Sequence, residues 1–140
     1  PCCIHESSLS PSVHSILASQ LGRSEEAYNF FQFATRMDLD NYNRNTNQGI
    51  HTTSIAAAWM NIVYGFGGLR SDGDKLCVAP SVPESWGGYS FKISYKGTVI
   101  EIKVDKENVF IQTNGNKSVY LNVYGNDVEI DSNGYQCRVA

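Results

Sequence analysis

Apolar residues recur through the first half of the chain at the three-and-four spacing of helices, and through much of the second half at every other position. Val13, Ile16, Leu17 and Leu21 form one helical stripe. Ser10-Pro11 ahead of it reads as an N-cap with proline at the first helical position, and Leu21-Gly22 reads as the stop. A second helix is predicted with Ser24 as its cap and Glu25 and Glu26 in the first turn, where the partly positive helix end favours carboxylates. Its apolar residues Ala27, Tyr28, Phe30, Phe31, Phe33, Ala34 and Met37 wrap most of the way round, so burial on more than one side is expected. The third helix is predicted over 53–64, with Ile55, Trp59, Ile62 and Val63 on one face and Gly65, Gly67 and Gly68 ending it.

Beyond about Lys75 the period becomes two. Tyr89, Phe91, Ile93 and Tyr95 alternate with Ser90, Lys92, Ser94 and Lys96, the pattern of a half-buried strand. Further strands are predicted at 98–105, 108–113, 118–124, 127–131 and 135–139. Lys96-Gly97, Asn114-Gly115-Asn116, Gly125-Asn126 and Ser132-Asn133-Gly134 supply the turns between them. Short strands on short turns predict an antiparallel meander closed as a sandwich or flattened barrel. The class is therefore α+β, with helices in residues 1–72, a sheet domain in 73–140 and the boundary near RSDGD at 70–74. Three helices with apolar surface on several sides cannot bury it against one another. At ~25 cal/mol per Å² such exposure forfeits many kcal/mol, so either they pack on the β half or most of their partners lie outside the chain; the second is expected.

Between the second and third helices runs a polar loop, DLDNYNRNTNQGIH, residues 38–51. Its Asp38-x-Asp40 spacing resembles the start of a calcium loop, but Asn43 stands where that motif needs glycine and Gly49 where it needs glutamate. The loop ends in His51, Thr52, Thr53 and Ser54, directly before an alanine-rich run. A helix start carries unpaired N–H groups and partial positive charge, so hydroxyls and an imidazole there suit an anion. A simple N-cap by Thr52 or Thr53 accounts for one of those hydroxyls, and both readings stay open.

Composition narrows the partners. A net charge of −3 with no basic run argues against nucleic acid, and no apolar run is long enough to cross a bilayer. Hydrophobic residues at 41% argue against wholesale disorder. Cys2, Cys3, Cys77 and Cys137 lack C-x-x-C spacing; no metal site is expected, and they read as free thiols in a reducing compartment. Asn116-Lys117-Ser118 fits a glycosylation sequon, which matters only in a secreted protein. The chain opens on Pro1 without methionine and reads as part of a longer protein.

HESSLSPSVHSILASQLG, the loop with GIHTTSIAAAW, YGFGGLR and VPESWGGYSFKISYKG, in that order, resemble the C-terminal end of glycoside hydrolase family 65. That family includes maltose, kojibiose, nigerose and trehalose phosphorylases. The resemblance spans about residues 4–104. It implies the last helices of an (α/α)6 barrel followed by a small antiparallel β-sheet domain. It further implies that the rest of the barrel, an N-terminal sandwich and the general-acid glutamate lie upstream, so that this chain alone holds no catalytic residue and is inactive. The implied reaction is phosphorolysis of an α-glucosidic bond with inversion, giving β-glucose 1-phosphate. Inorganic phosphate is the co-substrate and no cofactor is expected.

The resemblance places His51, Thr53 and Ser54 in the phosphate pocket. Hydrolytic relatives need a carboxylate base for water, and no Asp or Glu occurs between Asn41 and Asn61. His5, Glu6 and Ser7 would lie on a loop facing the sugar; alternatively Ser8 or Ser10 caps the first helix and Glu6 orders the loop. His14 is read as lying on a packed or solvated helix face, Trp59 as a packing residue, and Trp86 as an exposed platform or a contact between domains. Expected partners are a disaccharide, phosphate and the remaining barrel, with homodimerisation common in the family and a cytoplasmic location. The competing readings are the tail of a hydrolytic relative, and a non-catalytic carbohydrate-binding or assembly module presenting Tyr89, Tyr95, Tyr120 and Tyr124.

Overall fold

The computed structural model of the 140-residue chain describes residues 7–71 and 73–140. Two compact units divide it, residues 1–66 and 67–140.

In the first unit, α1 (Ser10–Gln20), α2 (Ser24–Thr35) and α3 (Thr52–Met60) form at the predicted places. The caps differ by one residue. Leu9, Arg23 and His51 hold the N-cap positions without side-chain cap bonds, so Ser10, Ser24 and Thr52 are the first helical residues. Ser7 orders the approach to α1 instead, its hydroxyl accepting the Leu9 N–H at 3.3 Å. At the other end of α1, Gly22 at φ +70° permits the paired closure in which the N–H groups of Gly22 and Arg23 reach the carbonyls of Ser19 and Ala18 at 3.1 and 2.9 Å.

The predicted apolar stripe of α1 is not its buried face. Val13, Leu17 and Leu21 are 54%, 49% and 69% exposed, while Ser12, Ser15 and Ala18 are buried. Small side chains let α1 and α2 approach closely: Ser15 donates to the Ala27 carbonyl at 2.8 Å, and Ala27 and Ala34 are buried on α2. His14 meets Phe30 edge-on, with ring centroids 5.1 Å apart. The apolar face of α3 is likewise open, with Ile55 and Trp59 at least half exposed, whereas Ser54 and Val63 are buried. Trp59 is thus no core residue here; its ring lies edge-on to Tyr64 at 6.2 Å. After Met60 the helix widens to π winding over Asn61–Phe66, a form that recurs at functional sites. Asn61, at its start, is fully buried, with neither amide atom hydrogen-bonded among the described residues.

Among the described residues the second unit holds seven strands: β1 (Leu76–Val78), β2 (Gly88–Tyr95), β3 (Thr98–Asp105), β4 (Asn108–Asn114), β5 (Val119–Val123), β6 (Asn126–Ile130) and β7 (Tyr135–Arg138). They form two sheets, β2-β3-β4-β7 and β1-β5-β6. Alternate side chains point inward. Ile100, Ile102 and Val104 of β3, Val109 and Ile111 of β4, and Leu121 and Val123 of β5 are buried together with Ile130. The expected α+β class holds. The meander does not run straight through, because β7 returns to β4 and the unpredicted β1 pairs in parallel with β5. Trp86 is half-buried and edge-on to Tyr89 at 5.9 Å, and the Tyr89 hydroxyl donates to the Ser81 carbonyl at 3.0 Å. Tyr89, Tyr95 and Tyr124 are all partly buried, leaving Tyr120 as the exposed member of the tyrosine set. Cys77 and Cys137 are free thiols, and Cys2 and Cys3 lie outside the described residues. Among the described residues no helix is long and apolar enough to cross a membrane.

Candidate functional site at the start of the third helix

The loop before α3 is built by its own polar side chains. Met37 is buried and anchors the departure from α2, and Arg36 holds Asp40 through two bonds of 2.7 Å. Asn41 and Arg44 take left-handed backbone angles, φ +47° and +55°, which asparagine tolerates through local bonding. The Asn41 side-chain oxygen Oδ1 accepts from the Thr46 N–H and hydroxyl at 3.2 and 2.8 Å, and a single 3-10 turn follows over Thr46–Gln48.

Asp38 then closes the loop on itself. One carboxylate oxygen accepts the His51 backbone N–H at 2.9 Å, and the other lies 2.5 Å from His51 Nδ1. A carboxylate only accepts, so Nδ1 carries the hydrogen. These two bonds, the ring's first, hold the Asp38 carboxyl below the usual carboxylate range. Both side chains keep an accessible edge, 17% exposed for His51 and 24% for Asp38. Sequence reasoning weighed Asp38 only as a calcium ligand and missed this role. The available signal was an acidic residue opening a polar loop whose last residue is histidine.

As N-cap, His51 offers its carbonyl to the N–H groups of Ser54 and Ile55 at 2.9 and 3.2 Å. Thr53 is exposed in the first turn of α3. Ser54 differs from expectation: it is 1% exposed, and its hydroxyl donates to the Ser8 carbonyl at 3.0 Å. Its one hydrogen is committed to tying α3 to the segment before α1. The structure therefore brings His51 and Thr53 to an accessible helix start and places Ser54 behind them. His5 and Glu6 lie outside the described residues. Ser7 is exposed and bonded to its own turn, while Ser8 is joined to Ser54 through its backbone.

Two sequence models match consecutive stretches of the chain: the glycosyl hydrolase family 65 central catalytic domain over residues 1–60, and the C-terminal domain of the same family over 69–130. The chain belongs to glycosyl hydrolase family 65. Family 65 relatives include the maltose phosphorylase of Bacillus subtilis (strain 168), 42% identical over 124 residues that make up 89% of this chain and 16% of that protein. The alpha,alpha-trehalose phosphorylase of Thermoanaerobacter brockii is 46% identical over 109 residues, 78% of this chain and 14% of that one. A solved structure described as a kojibiose phosphorylase from human microbiome matches with a TM-score of 0.90 and 52% identity, over 98% of this chain and 20% of that chain. This family 65 chain thus spans less than a fifth of the curated relatives named here. The candidate site at His51 falls within the stretch matched by the catalytic-domain model.

Proposed function

We propose that the chain is the C-terminal segment of an inverting α-glucoside phosphorylase and supplies part of its phosphate pocket. The observation carrying this reading is the start of α3, where His51 is held by Asp38 and Thr53 is exposed beside it. Phosphate brings its own charge and nucleophilic oxygen, so the protein has to present donors in the right place rather than a base. The His51 ring edge, the Thr53 hydroxyl and the positive end of α3 are such donors, with Ser54 fixing the helix start from behind.

In the reaction, a phosphate oxygen attacks the anomeric carbon from the face opposite the leaving oxygen. The new C–O bond forms as the glycosidic bond breaks, and a glutamic acid outside this segment protonates the departing sugar oxygen. The products are β-glucose 1-phosphate and the second sugar. No cofactor takes part. The residues His5, Glu6 and Ser7 would face the sugar, with the remainder of the barrel completing the pocket.

One observation favours a second reading. An Asp–His pair can also polarise water for hydrolysis, and Asp38 and His51 are such a pair. Assaying the full-length protein on maltose, kojibiose and trehalose, with and without phosphate, separates the two. Glucose 1-phosphate formed only when phosphate is present is the expected result. Undiminished turnover in phosphate-free buffer, releasing free glucose alone, refutes the phosphorylase reading.

A further inference from the structure

We infer that Asp38 is the positioning residue of the phosphate site, fixing the tautomer and the orientation of His51 so that Nε2 is the ring atom presented to phosphate. This rests on the phosphorylase reading above for the identity of the ligand, although the orientation itself follows from the local geometry.

An imidazole has two nitrogens, and the hydrogen bond made by one decides what the other can do. Asp38 binds His51 at two points, Nδ1 at 2.5 Å and the backbone N–H at 2.9 Å. Two points fix more than one does. The backbone bond places the N-cap residue relative to the loop, and the ring bond sets the side-chain angle on top of it. Turning the ring over would replace Nδ1–H with a carbon-bound hydrogen at the carboxylate, so the flipped orientation loses the stronger, charge-assisted bond. The ring makes no other hydrogen bond among the described residues, and Nε2 lies on the edge away from Asp38.

Either protonation state of the ring then suits hydrogen phosphate. An imidazolium donates Nε2–H to a phosphate oxygen. A neutral ring with hydrogen on Nδ1 accepts the P–OH hydrogen at Nε2. The opposite neutral tautomer would place a hydrogen on Nε2 but leave the Nδ1 lone pair facing the Asp38 carboxylate, two acceptors in contact. Asp38 removes that state. It also puts its negative charge on the far side of the ring from the incoming anion, where the imidazole separates the two.

Asp38 closes the loop as well, so a simple loss of activity would not separate positioning from folding. The test uses the full-length enzyme as wild type, Asp38→Asn, Asp38→Glu, His51→Ala and the Asp38→Asn/His51→Ala double variant. Initial rates are measured with phosphate and disaccharide varied separately, alongside 15N spectra of the His51 ring. Asparagine keeps the size and one acceptor but opposes an N–H₂ to the other donor. Asp38→Asn should raise the phosphate KM by about tenfold, as loss of a ring-orienting partner does, and leave the disaccharide KM within about twofold. Asp38→Glu, which restores a carboxylate, should recover part of that loss. In the His51→Ala background Asp38→Asn should have no further effect on the phosphate KM. The spectra should show hydrogen on Nδ1 in the wild type and a shift toward Nε2–H in Asp38→Asn.

A phosphate KM unchanged in Asp38→Asn overturns the inference. So does an Asp38→Asn effect that persists in full without the imidazole, since Asp38 would then act through the loop alone. If the wild type proves indifferent to phosphate, the phosphorylase reading fails first, and the spectra still decide: an unchanged tautomer in Asp38→Asn overturns the positioning role, and a changed one supports it.

Discussion

Replacing Gly68 by alanine should destabilise the β unit well beyond what its backbone angle alone requires. Gly68 sits at φ +59°, and a Cβ built on it would lie 2.4 Å from the Ala79 carbonyl oxygen, 2.8 Å from its carbon and 3.0 Å from the Ala79 nitrogen. Gly125 provides the control, with φ +85° and nothing within 4 Å of the same added atom. Both substitutions incur the left-handed penalty of about 1–2 kcal/mol for a residue with Cβ. Only Gly68→Ala must also displace backbone, by about 1 Å to reach ordinary contact distance. The chain around Ala79 resists that. Arg70 and Cys77 exchange two backbone bonds of 2.8 and 2.9 Å, the Tyr124 N–H donates to the Val78 carbonyl at 3.1 Å, and the Tyr124 hydroxyl donates to the carbonyl of the buried Pro80. Forcing a methyl group into such a place costs about 1–3 kcal/mol more. Urea unfolding of the full chain, followed by Trp86 fluorescence in a Trp59→Phe background, reads the difference. With a slope of about 1–3 kcal/mol per molar urea, the Gly68→Ala midpoint should lie about 1 M below that of Gly125→Ala. Equal midpoints would refute the reasoning, because the collision would then cost nothing.

Three further outcomes are expected. On the proposed phosphorylase reading, in which Thr53 donates to phosphate, Thr53→Val should raise the phosphate KM of the full-length protein by about tenfold or more, with little change in melting temperature. Ser54→Ala should do the reverse, lowering the melting temperature while moving the phosphate KM less; a KM effect matching that of Thr53→Val without thermal loss would put the Ser54 hydroxyl in the pocket. Acid should unfold the β unit through its turn carboxylates. Asp105 accepts the N–H groups of Glu107 and Asn108, and Asp131 is bonded by the Asn133 side chain and by the N–H groups of Asn133 and Gly134, which hold both carboxyls below their ordinary range. Their folded values being depressed, the stability they add is fully present above the unfolded carboxylate range near pH 4 and is lost as pH falls through the lower folded values. The urea midpoint should be flat from about pH 7 to 5 and fall below about pH 4, less steeply in Asp131→Asn; a midpoint that holds to about pH 3 would contradict this.

The strands were legible because each of β2 to β5 buries one face, which forces alternation into the sequence, as in Tyr89, Phe91, Ile93 and Tyr95. β1 was not, since Leu76–Val78 is too short to show a period and its parallel partner is remote in sequence. Helix positions were also readable, but not which side each would bury. Periodicity marks Val13, Leu17 and Leu21 as an apolar face; it does not say whether the surface that covers it belongs to the same stretch of chain. The helix start at His51 was visible from its polar run. Asp38 was hidden because the bond joins the two ends of an irregular loop, where no spacing rule links acceptor to donor. The bond made by Ser54 was hidden for a related reason: its partner is a backbone carbonyl far back in the chain, at Ser8, and backbone acceptors leave no mark on sequence.

The parallel pairing of β1 with β5 sets an order for synthesis. The chain emerges from its N-terminus, and β1 follows directly on the helical unit, yet the residues it must align with, Leu121 to Val123, are made only after β2, β3 and β4. Those three strands pair by local hairpins and can form as they appear. The segment at Leu76 can meet Arg70 at once through the two backbone bonds of Cys77, but the edge that β5 will cover has to wait. A ribosome that pauses just before β5 would hold the nascent protein with that strand edge uncovered.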